Sequence, residues 1–533
     1  MNKNNINTSH RQVVYARNGM VATTEPQAAQ AGLDILRKGG NAIDAAIAVA
    51  ATLTVVEPTS NGIGGDNFSI ISYQGELYGL NSSGFAPKSL TLEKLNKKGF
   101  TEIPRFGVEP ITVPGAVKGW VELSKRFGKL PLVEVLKPAI TYASEGFVVS
   151  ETVAKYWQSA AKIYERALVG DVFKPWFDTF LVDGKAPVAG QTMYLPGHAK
   201  TLLDIANTEG KSFYEGELAI EIDSYLKKHG GYLTQEDLSN FQVEWVKPIM
   251  STYRDHEIYE LPPNGQGAVA LMALNILENF KLPENENARS FHLQIESMKL
   301  AFADGLHYLS DPSSMKVTIE HLLDKRYATD RSHLIKGEAI EPEVGKPISS
   351  GTVYLATADS DGNMVSFIQS NYMGFGSGIV IPNTGISLHN RGHNFSIDPN
   401  SPNVLSPLKR PYHTIIPGFI IKKGEFMGPF GVMGGFMQPQ GHLQVISNMI
   451  DFNLNPQQAL DAPRWQWIEG KKITVEPDFD DDIMDELIKK GHDISIDSNL
   501  GSFGRGQIIL KNLILKTYQG GTEKRADGTI ACY

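Results

Sequence analysis

The sequence predicts an α/β protein in which layers of helices cover β-sheets. Residues 26–38 carry apolar side chains at helical spacing and end at Gly39 and Gly40, which predicts a helix stopped by glycine. Asn41 is a residue type that caps helices, and residues 42–56 are apolar on nearly all faces. This second helix is therefore expected inside the molecule, against a sheet.

Two hairpins supply the predicted strands. Residues 68–73 and 77–81 flank Gln74 and Gly75, a two-residue turn signal. From residue 352 the chain becomes β-rich, with strands over 352–358 and 364–370 around a turn at 359–363. Helical spacing recurs near residues 115–127, 131–145, 217–229, 267–280, 288–309, 438–450 and 480–490. Helices outside and strands inside give a stacked α/β arrangement.

Composition indicates a globular protein that acts on small molecules or peptides. Among 533 residues, 41% are hydrophobic and 20% are charged, so a packed core is expected. The net charge of −9, without a dense basic run, argues against a nucleic-acid surface or a polybasic membrane patch.

Targeting and metal signals are also absent from the sequence. Residues 1–17 lack the apolar stretch of a secretory signal, and residues 42–56 fall short of the roughly 20 residues of a membrane span. We therefore expect a cytoplasmic protein. The single cysteine, Cys532, excludes an internal disulfide and a cysteine-clustered metal site, and we expect no cofactor and no metal.

Thr352 has the sequence surroundings of an N-terminal nucleophile. A threonine hydroxyl needs a base, and an α-amino group, with a pKa of about 7.7 to 8, is a good base near neutral pH. A threonine liberated at its amino side could supply both groups. Residues 349–351 are the small residues Ser, Ser and Gly, and a β-branched strand follows. Taken alone, this pattern fits an ordinary strand equally well.

Residues 351–363 (GTVYLATADSDGN) and 375–378 (FGSG) resemble the small-subunit start of γ-glutamyltranspeptidases. Further blocks similar to that family occur in family order, so the resemblance covers nearly the whole chain from about residue 17. These blocks are residues 39–46 (GGNAIDAA), 62–66 (GIGGD), 112–120 (TVPGAVKGW), 231–238 (GYLTQEDL), 261–264 (LPPN), 298–304 (MKLAFAD) and 433–435 (MGG).

The resemblance implies a four-layer αββα sandwich of the N-terminal-nucleophile hydrolase type. It also implies a precursor that cleaves itself between Gly351 and Thr352. The products would be a large subunit, residues 1–351, and a small subunit, residues 352–533, which together form one αββα unit and pair as a heterodimer. Whether two heterodimers pair further is left open.

The resemblance also assigns the residues expected to cleave the amide bond. Thr352 corresponds to the nucleophile, and Ser370 corresponds to a family threonine that supports it. Gly434 and Gly435 correspond to the oxyanion hole, where glycine lets backbone N–H groups approach a developing negative charge. Without the resemblance, this glycine pair fits a plain turn as well.

The residues expected to bind the acyl group depart from the family pattern. A γ-glutamyl group needs an arginine for its α-carboxylate and an acid for its α-ammonium, because buried charges must be paired. Ser83 stands where the family has the arginine, and Asn394 stands where it has the acid. Tyr372 replaces an asparagine, and His413 and Thr414 replace a serine pair.

Other acyl groups therefore become plausible. Arg391, beside Asn390, is a candidate cation for the carboxylate of a glutaryl-like acyl chain, and a structural ion pair is the alternative interpretation. His413 is likewise a candidate binding residue, and a structural histidine is the alternative interpretation. The loop from residue 396 to 409 is shorter than in family members with a lid, which predicts an open cleft.

Three functions are compatible with these observations. The first is a self-processing amidase that cleaves or transfers γ-glutamyl-type acyl groups, as in glutathione-like amides, through an acyl-enzyme on Thr352. The second is a glutaryl- or cephalosporin-type acylase with the same mechanism. The third is a non-catalytic relative that binds peptides, against which the joint presence of Thr352, Ser370, Gly434 and Gly435 argues.

Overall fold

Two seven-stranded antiparallel sheets lie face to face at the centre of the computed structural model, which describes residues 11–342 and 352–533. In spatial order, sheet I contains Val14–Ala16, Tyr518–Thr522, Arg505–Lys511, Glu425–Met433, Gly418–Lys422, His256–Glu260 and Ile249–Tyr253. Sheet II contains Thr529–Cys532, Met20–Thr23, Val353–Ala358, Met364–Ser370, Asp66–Tyr73, Glu76–Ser82 and Glu244–Val246.

Apolar side chains from the two sheets form a core between them. Phe68, Tyr354 and Ile368 of sheet II pack with Phe419 and Ile509 of sheet I. The two predicted hairpins lie side by side within sheet II, where Met364–Ser370 pairs antiparallel with Asp66–Tyr73.

A first helical layer covers sheet II. It contains Pro26–Arg37, Ala42–Val56 and Ala116–Phe127, with Leu132–Glu145 and Pro196–Thr208 packed behind them. Every residue of Ala42–Val56 is buried, and the Asn41 side chain accepts hydrogen bonds from the N–H groups of Ile43 and Asp44. The predicted cap and the predicted interior helix are both confirmed.

A second helical layer covers sheet I. It contains Gly267–Leu277, Met437–Ile450 and Pro456–Asp461, and Ala288–Tyr308 packs on the first two. Each helical layer has its own apolar core against its sheet. The order helix, sheet, sheet, helix confirms the predicted αββα sandwich.

Shorter elements complete the described chain. The remaining α-helices are Leu92–Lys97, Glu151–Ala167, Lys174–Phe180, Lys211–Tyr214, Glu217–Lys228, Gln235–Ser239, Ile319–Leu322, Lys325–Ser332 and Asp481–Lys489. The 3₁₀ helices are Asp171–Phe173, Pro312–Ser314, Arg391–Asn394 and Leu500–Phe503. Two small sheets contain Trp465–Glu469, Lys472–Val475 and Asp493–Ile496, and Phe147–Val148 with Thr192–Met193.

Each large sheet is built from both ends of the sequence. In sheet II, Val353–Ala358 and Met364–Ser370 lie between Met20–Thr23 and Asp66–Tyr73. In sheet I, Gly418–Lys422 pairs with His256–Glu260. The chain before residue 343 and the chain from Thr352 onward are thus hydrogen-bonded into common sheets. Within residues 11–342 and 352–533, no helix has the length and apolar character needed to cross a membrane.

Candidate active site

Thr352 lies directly before the central strand Val353–Ala358 and is buried. That strand pairs with Met364–Ser370, which places Thr352 beside the end of the neighbouring strand. Thr352 Oγ1 is 3.2 Å from Ser370 Oγ, and Ser370 Oγ also accepts a hydrogen bond of 2.7 Å from the N–H of Tyr372. Ser370 therefore contacts the predicted nucleophile and fixes the turn that follows it.

The glycine block at residues 62–66 packs directly behind this pair. A Cβ on Gly65 would lie only 2.6 Å from the carbonyl oxygen of Ser370, so that only glycine fits there without a shift. The carbonyl of Gly65 accepts hydrogen bonds from the N–H groups of Gly115 and Ala116, at 2.9 and 3.0 Å. Gly65 thus packs against the end of the strand Met364–Ser370 and is hydrogen-bonded to the start of helix Ala116–Phe127.

Gly434 and Gly435 form the turn between strand Glu425–Met433 and helix Met437–Ile450. Their φ angles are +142° and +60°, and their carbonyls accept hydrogen bonds from Met437 and Gln438 at the start of the helix. Neither glycine N–H donates a hydrogen bond to a described residue. Both donors are therefore available to a ligand, as an oxyanion hole requires.

Gln266 holds this turn in place, and sequence reasoning missed it. Its Nε2 donates to the carbonyl of Gly435 at 2.8 Å and to the carbonyl of Thr414 at 2.7 Å. Its Oε1 accepts a hydrogen bond of 3.1 Å from the hydroxyl of Tyr412. The side chain follows the block at residues 261–264, but no local pattern reveals that it spans two distant segments.

Ser83 and Asn394, the neutral replacements, are hydrogen-bonded within the protein. Ser83 Oγ donates to Asn81 Oδ1 at 2.7 Å, and the Ser83 carbonyl accepts from Arg410 Nε at 2.9 Å. Asn394 Nδ2 donates to the carbonyl of Tyr412, and Asn394 Oδ1 accepts from the hydroxyl of Tyr372 at 2.6 Å. Burial raises the pKa of Tyr372 to about 12, so this hydroxyl remains a donor at neutral pH.

Arg391 forms a buried ion pair. Its Nε and Nη2 donate to the two carboxylate oxygens of Asp66 at 3.0 and 3.2 Å, and its Nη1 donates to Thr414 Oγ1 at 2.9 Å. The guanidinium also lies 4.6 Å from the ring centre of Tyr372. These contacts are those of the structural ion-pair interpretation, because the cation already has a carboxylate partner.

Two histidines complete the surroundings of Asp66. Its Oδ2 is 2.7 Å from His413 Nε2 and 3.2 Å from His389 Nδ1. Burial alone would raise the pKa of Asp66, but Arg391 and His413 outweigh it and hold that pKa well below its usual range. Burial and Arg391 lower the pKa of His413 to about 4, so this ring is neutral at pH 7. Asp66 pairs with Ser370 in the sheet, and sequence reasoning gave it no role.

Asn390 and the loop from residue 396 to 409 make hydrogen bonds with Met373 and Asn394. Asn390 Oδ1 accepts from the N–H of Met373 at 3.1 Å, and Asn390 Nδ2 donates to the carbonyl of Arg105 at 3.0 Å. In the loop from residue 396 to 409, Asn403 Nδ2 donates to the carbonyl of Asn394 at 2.7 Å. Gly351, the other residue of the predicted cleavage site, lies outside the described residues.

One buried cluster in the described chain has donor types that hold metals. Ligand atoms of His292, Glu296 and His492 all lie within 4.8 Å of one another. His292 Nδ1 is 2.9 Å from His492 Nε2, and Lys299 Nζ donates to Glu296 Oε1 at 2.7 Å. The lysine already neutralises the carboxylate, so the contacts describe a hydrogen-bonded network.

The features of N-terminal-nucleophile hydrolases are present: a buried threonine directly before a central strand, a serine hydroxyl 3.2 Å from its Oγ1, and an αββα sandwich around them. A family model described as gamma-glutamyltranspeptidase matches residues 28–533. The chain therefore belongs to the γ-glutamyltranspeptidase family.

Individual relatives agree with this assignment. The chain is 38% identical to the glutathione hydrolase-like YwrD proenzyme of Bacillus subtilis (strain 168), over 96% of this chain and 97% of that protein. It is 33% identical to the acylase ACY 1 proenzyme of Pseudomonas sp. (strain SE83), over 91% and 89%. The crystal structure of cephalosporin acylase from Bacillus halodurans matches with a TM-score of 0.96 and 57% identity, over 98% of this chain and 97% of that one. The predictions of the family, of the fold and of a self-processing amidase are confirmed.

Proposed function

We propose that this enzyme cleaves or transfers γ-glutamyl-type acyl groups, as in glutathione-like γ-glutamyl amides, through an acyl-enzyme on Thr352. The observation that carries the proposal is the 3.2 Å contact between Thr352 Oγ1 and Ser370 Oγ at the start of a central strand. The relative named glutathione hydrolase-like supports the choice of acyl group.

Self-cleavage comes first. Thr352 Oγ attacks the carbonyl carbon of Gly351, the C–N bond breaks, and the peptide nitrogen becomes the α-amine of Thr352. Water then hydrolyses the resulting ester, which leaves a carboxylate on Gly351 and restores the Thr352 hydroxyl. The mature nucleophile and its base are thus produced in one residue.

Amide cleavage uses the same atoms. The α-amine of Thr352 takes the hydroxyl proton while Oγ attacks the substrate carbonyl, and the N–H groups of Gly434 and Gly435 donate to the oxyanion. The ammonium group then protonates the leaving nitrogen, and the C–N bond breaks. Water or an amine attacks the acyl-enzyme and releases the acyl group.

Ser370 is proposed to support the nucleophile, because it contacts Thr352 Oγ1. The acyl pocket is assigned to residues that surround the Asp66 ion pair or stand at the family's binding positions. These residues are Ser83, Tyr372, Asn390, Arg391, Asn394, His413 and Thr414.

A glutaryl- or cephalosporin-type acylase is the second candidate, favoured by a specific observation. Neither Ser83 nor Asn394 carries a charge, and both make their hydrogen bonds within the protein. No acid therefore stands at position 394 for the α-ammonium of a glutamyl group, whereas a glutaryl group has no ammonium to bind. The neighbour of known structure named cephalosporin acylase supports this candidate.

Two anilides that differ only in the α-amino group separate the candidates. Purified, processed enzyme is assayed with γ-glutamyl-4-nitroanilide and with glutaryl-4-nitroanilide, and Thr352→Ala serves as the inactive control. Faster turnover of the γ-glutamyl substrate is expected, and faster turnover of the glutaryl substrate would replace the first candidate by the second. Turnover of neither, with no acyl adduct on Thr352, would favour a non-catalytic peptide-binding relative.

The two fragments, residues 1–351 and 352–533, are proposed to stay together as a heterodimer. Both large sheets contain strands from each side of the cut, which supports this arrangement. Size-exclusion chromatography of processed protein would distinguish one heterodimer from a pair. A cytoplasmic location is part of the same proposal.

A further inference from the structure

A cationic cleft of about 220 Å³ opens beside the segment that follows Ser370. Two of its lining residues are arginines and none is an aspartate or a glutamate, although the chain as a whole carries a net charge of −9. The lining includes Thr59, Ser60, Arg105, Tyr156, Met373 and Arg505. The composition of the cleft therefore suits an anion.

One wall of the cleft belongs to the active-site segment. Met373 lies three residues after Ser370, and three residues span at most about 11 Å. The carbonyl of Ser60 accepts a hydrogen bond of 3.2 Å from the N–H of Asn371. The cleft thus begins no more than about 11 Å from Ser370, the residue whose hydroxyl contacts Thr352 Oγ1.

The opposite wall reaches the glycine turn. Gly501 and Arg505 line the cleft, and Gly504 between them packs against Gly434, since a Cβ on Gly434 would lie 3.1 Å from the Cα of Gly504. The cleft therefore lies between the segment after Ser370 and the support of the predicted oxyanion hole.

Several donors in the cleft have no hydrogen-bond partner within residues 11–342 and 352–533. They are Arg105 Nε, Arg505 Nε and Thr59 Oγ1. Thr59 is 5% exposed and Arg505 is 6% exposed, so their donors are costly to leave unsatisfied. Arg505 donates to Glu57 Oε1 at 3.2 Å through Nη1, whereas Arg105 has no acidic partner in the described chain.

Arg105 differs from Arg391 in this respect. Arg391 already binds Asp66 with two donors, whereas the Arg105 guanidinium lies 5.1 Å from the ring centre of Phe106 and has no carboxylate partner among the described residues. The Arg105 carbonyl accepts from Asn390 Nδ2, and Asn390 Oδ1 accepts from the N–H of Met373. Two hydrogen bonds therefore tie Arg105 to the segment after Ser370.

We propose that this cleft binds a carboxylate of the amide substrate, with Arg105 as the specificity-determining cation and with Arg505 and Thr59 as further donors. A guanidinium binds a carboxylate through two parallel hydrogen bonds, which the unpaired Arg105 can supply. The carboxylate could belong to the acyl chain or to the leaving amine. This inference rests on the proposed amidase function and names the anionic group that its substrate carries.

Three anilides distinguish the two sources of the carboxylate. Glutaryl-4-nitroanilide carries a carboxylate on the acyl chain, butyryl-3-carboxy-4-nitroanilide carries one on the amine, and butyryl-4-nitroanilide carries none. Arg105→Gln is compared with Arg166→Gln, which removes the same charge from an exposed position on helix Glu151–Ala167, the helix that also lines the cleft.

Arg105→Gln should lower kcat/KM about 10- to 100-fold for one carboxylate substrate and leave the uncharged anilide unchanged. The substrate that loses activity identifies the source. Arg105→Lys should retain part of the activity, and Arg166→Gln should change none of the three rates. Equal losses on all three anilides, or no loss on any, would overturn the inference.

A binding measurement keeps the inference independent of turnover. Calorimetric titration of processed wild-type enzyme with glutarate and with 3-carboxy-4-nitroaniline should give at least one affinity that Arg105→Gln weakens about 10-fold or more. A wild-type enzyme that turns over no anilide would count against the proposed function. The titration would then test by itself whether the cleft binds a carboxylate. Binding of neither probe, or binding unchanged by Arg105→Gln, would overturn the cleft assignment.

Discussion

The turn of Gly434 and Gly435 and the proposed acyl pocket differ in how their hydrogen-bonding groups are used within the described chain. The N–H groups of Gly434 and Gly435 donate to no described residue, and Gln266 Nε2 donates to the carbonyl of Gly435. In the pocket, the charge of Arg391 is already paired within the protein.

A charged residue near the predicted nucleophile is therefore not necessarily a substrate ligand, because its charge can already be paired within the protein. Asp66 neutralises Arg391 and pairs with Ser370 in sheet II, so this ion pair holds a wall of the proposed acyl pocket in place and leaves the Arg391 charge already paired. Recognition of an anionic substrate is assigned instead to the unpaired Arg105.

Thr352→Ala removes the attacking hydroxyl and should abolish both self-cleavage and amide hydrolysis. A denaturing gel should show a single chain of 58.5 kDa, and anilide turnover should fall to background. Thr357→Ala, a buried threonine on the same strand, is the matched control and should still divide. A Thr352→Ala protein that divides at the same bond would refute the assignment of the nucleophile.

Asp66→Asn should be strongly destabilising, because it leaves Arg391 as a buried cation without its carboxylate. A loss of about 3 to 5 kcal/mol in the free energy of unfolding is expected, measured by denaturant titration. Asp255→Asn, which breaks the exposed pair with Lys422, should cost less than about 1 kcal/mol. Unchanged stability together with a lost preference for carboxylate substrates would instead make Arg391 a substrate ligand.

Ser370→Ala should slow both cleavage and turnover about 10-fold, because it removes the partner of Thr352 Oγ1 and the acceptor for the N–H of Tyr372. Ser370→Thr keeps a hydroxyl and should restore most of the rate. Ser366→Ala, which removes a buried hydroxyl from the same strand, should lower stability without lowering kcat. Equal kcat values for Ser370→Ala and wild type would exclude the supporting role.

Acid should destabilise the fold through histidines that burial keeps neutral. The pKa of His413 is lowered to about 4 by burial and Arg391, and that of His198 to about 4 by burial. Because an unfolded histidine titrates near 6.5, the unfolded chain takes up the proton first, and stability falls as pH drops from 6.5 to 4. The loss at pH 5.5 should be about 1 kcal/mol for each histidine.

Unfolding at pH 7.5, 5.5 and 4.5 checks this dependence. His198→Phe, which removes one such histidine outside the predicted site, should reduce the slope between pH 6.5 and 4. A slope that His198→Phe leaves unchanged would mean that His198 is already protonated in the folded protein.

Local sequence signals were enough to predict much of the fold. The Asn41 cap, the largely apolar helix after it and the two hairpins depend on neighbouring residues, and all are present. The order of strands could not be predicted from such signals. Val14–Ala16 pairs with Tyr518–Thr522, and nothing in either segment specifies a partner some 500 residues away.

The site was predicted in the same uneven way. The family resemblance predicted that Ser370 supports Thr352, and the two hydroxyls are in contact because the residues lie at facing ends of one hairpin. No prediction covered the contacts of Asp66 and Gln266, because each binds segments that only tertiary packing brings near. The partner of Arg391, in particular, lies 325 residues away in sequence.

The proposed chemistry requires a free α-amine on Thr352. N-terminal sequencing and intact mass measurement of the purified enzyme should give a small fragment that begins at Thr352 and ends at Tyr533, together with a large fragment that ends at Gly351. An enzyme that hydrolyses amides at full rate while the bond between Gly351 and Thr352 remains intact would contradict the mechanism.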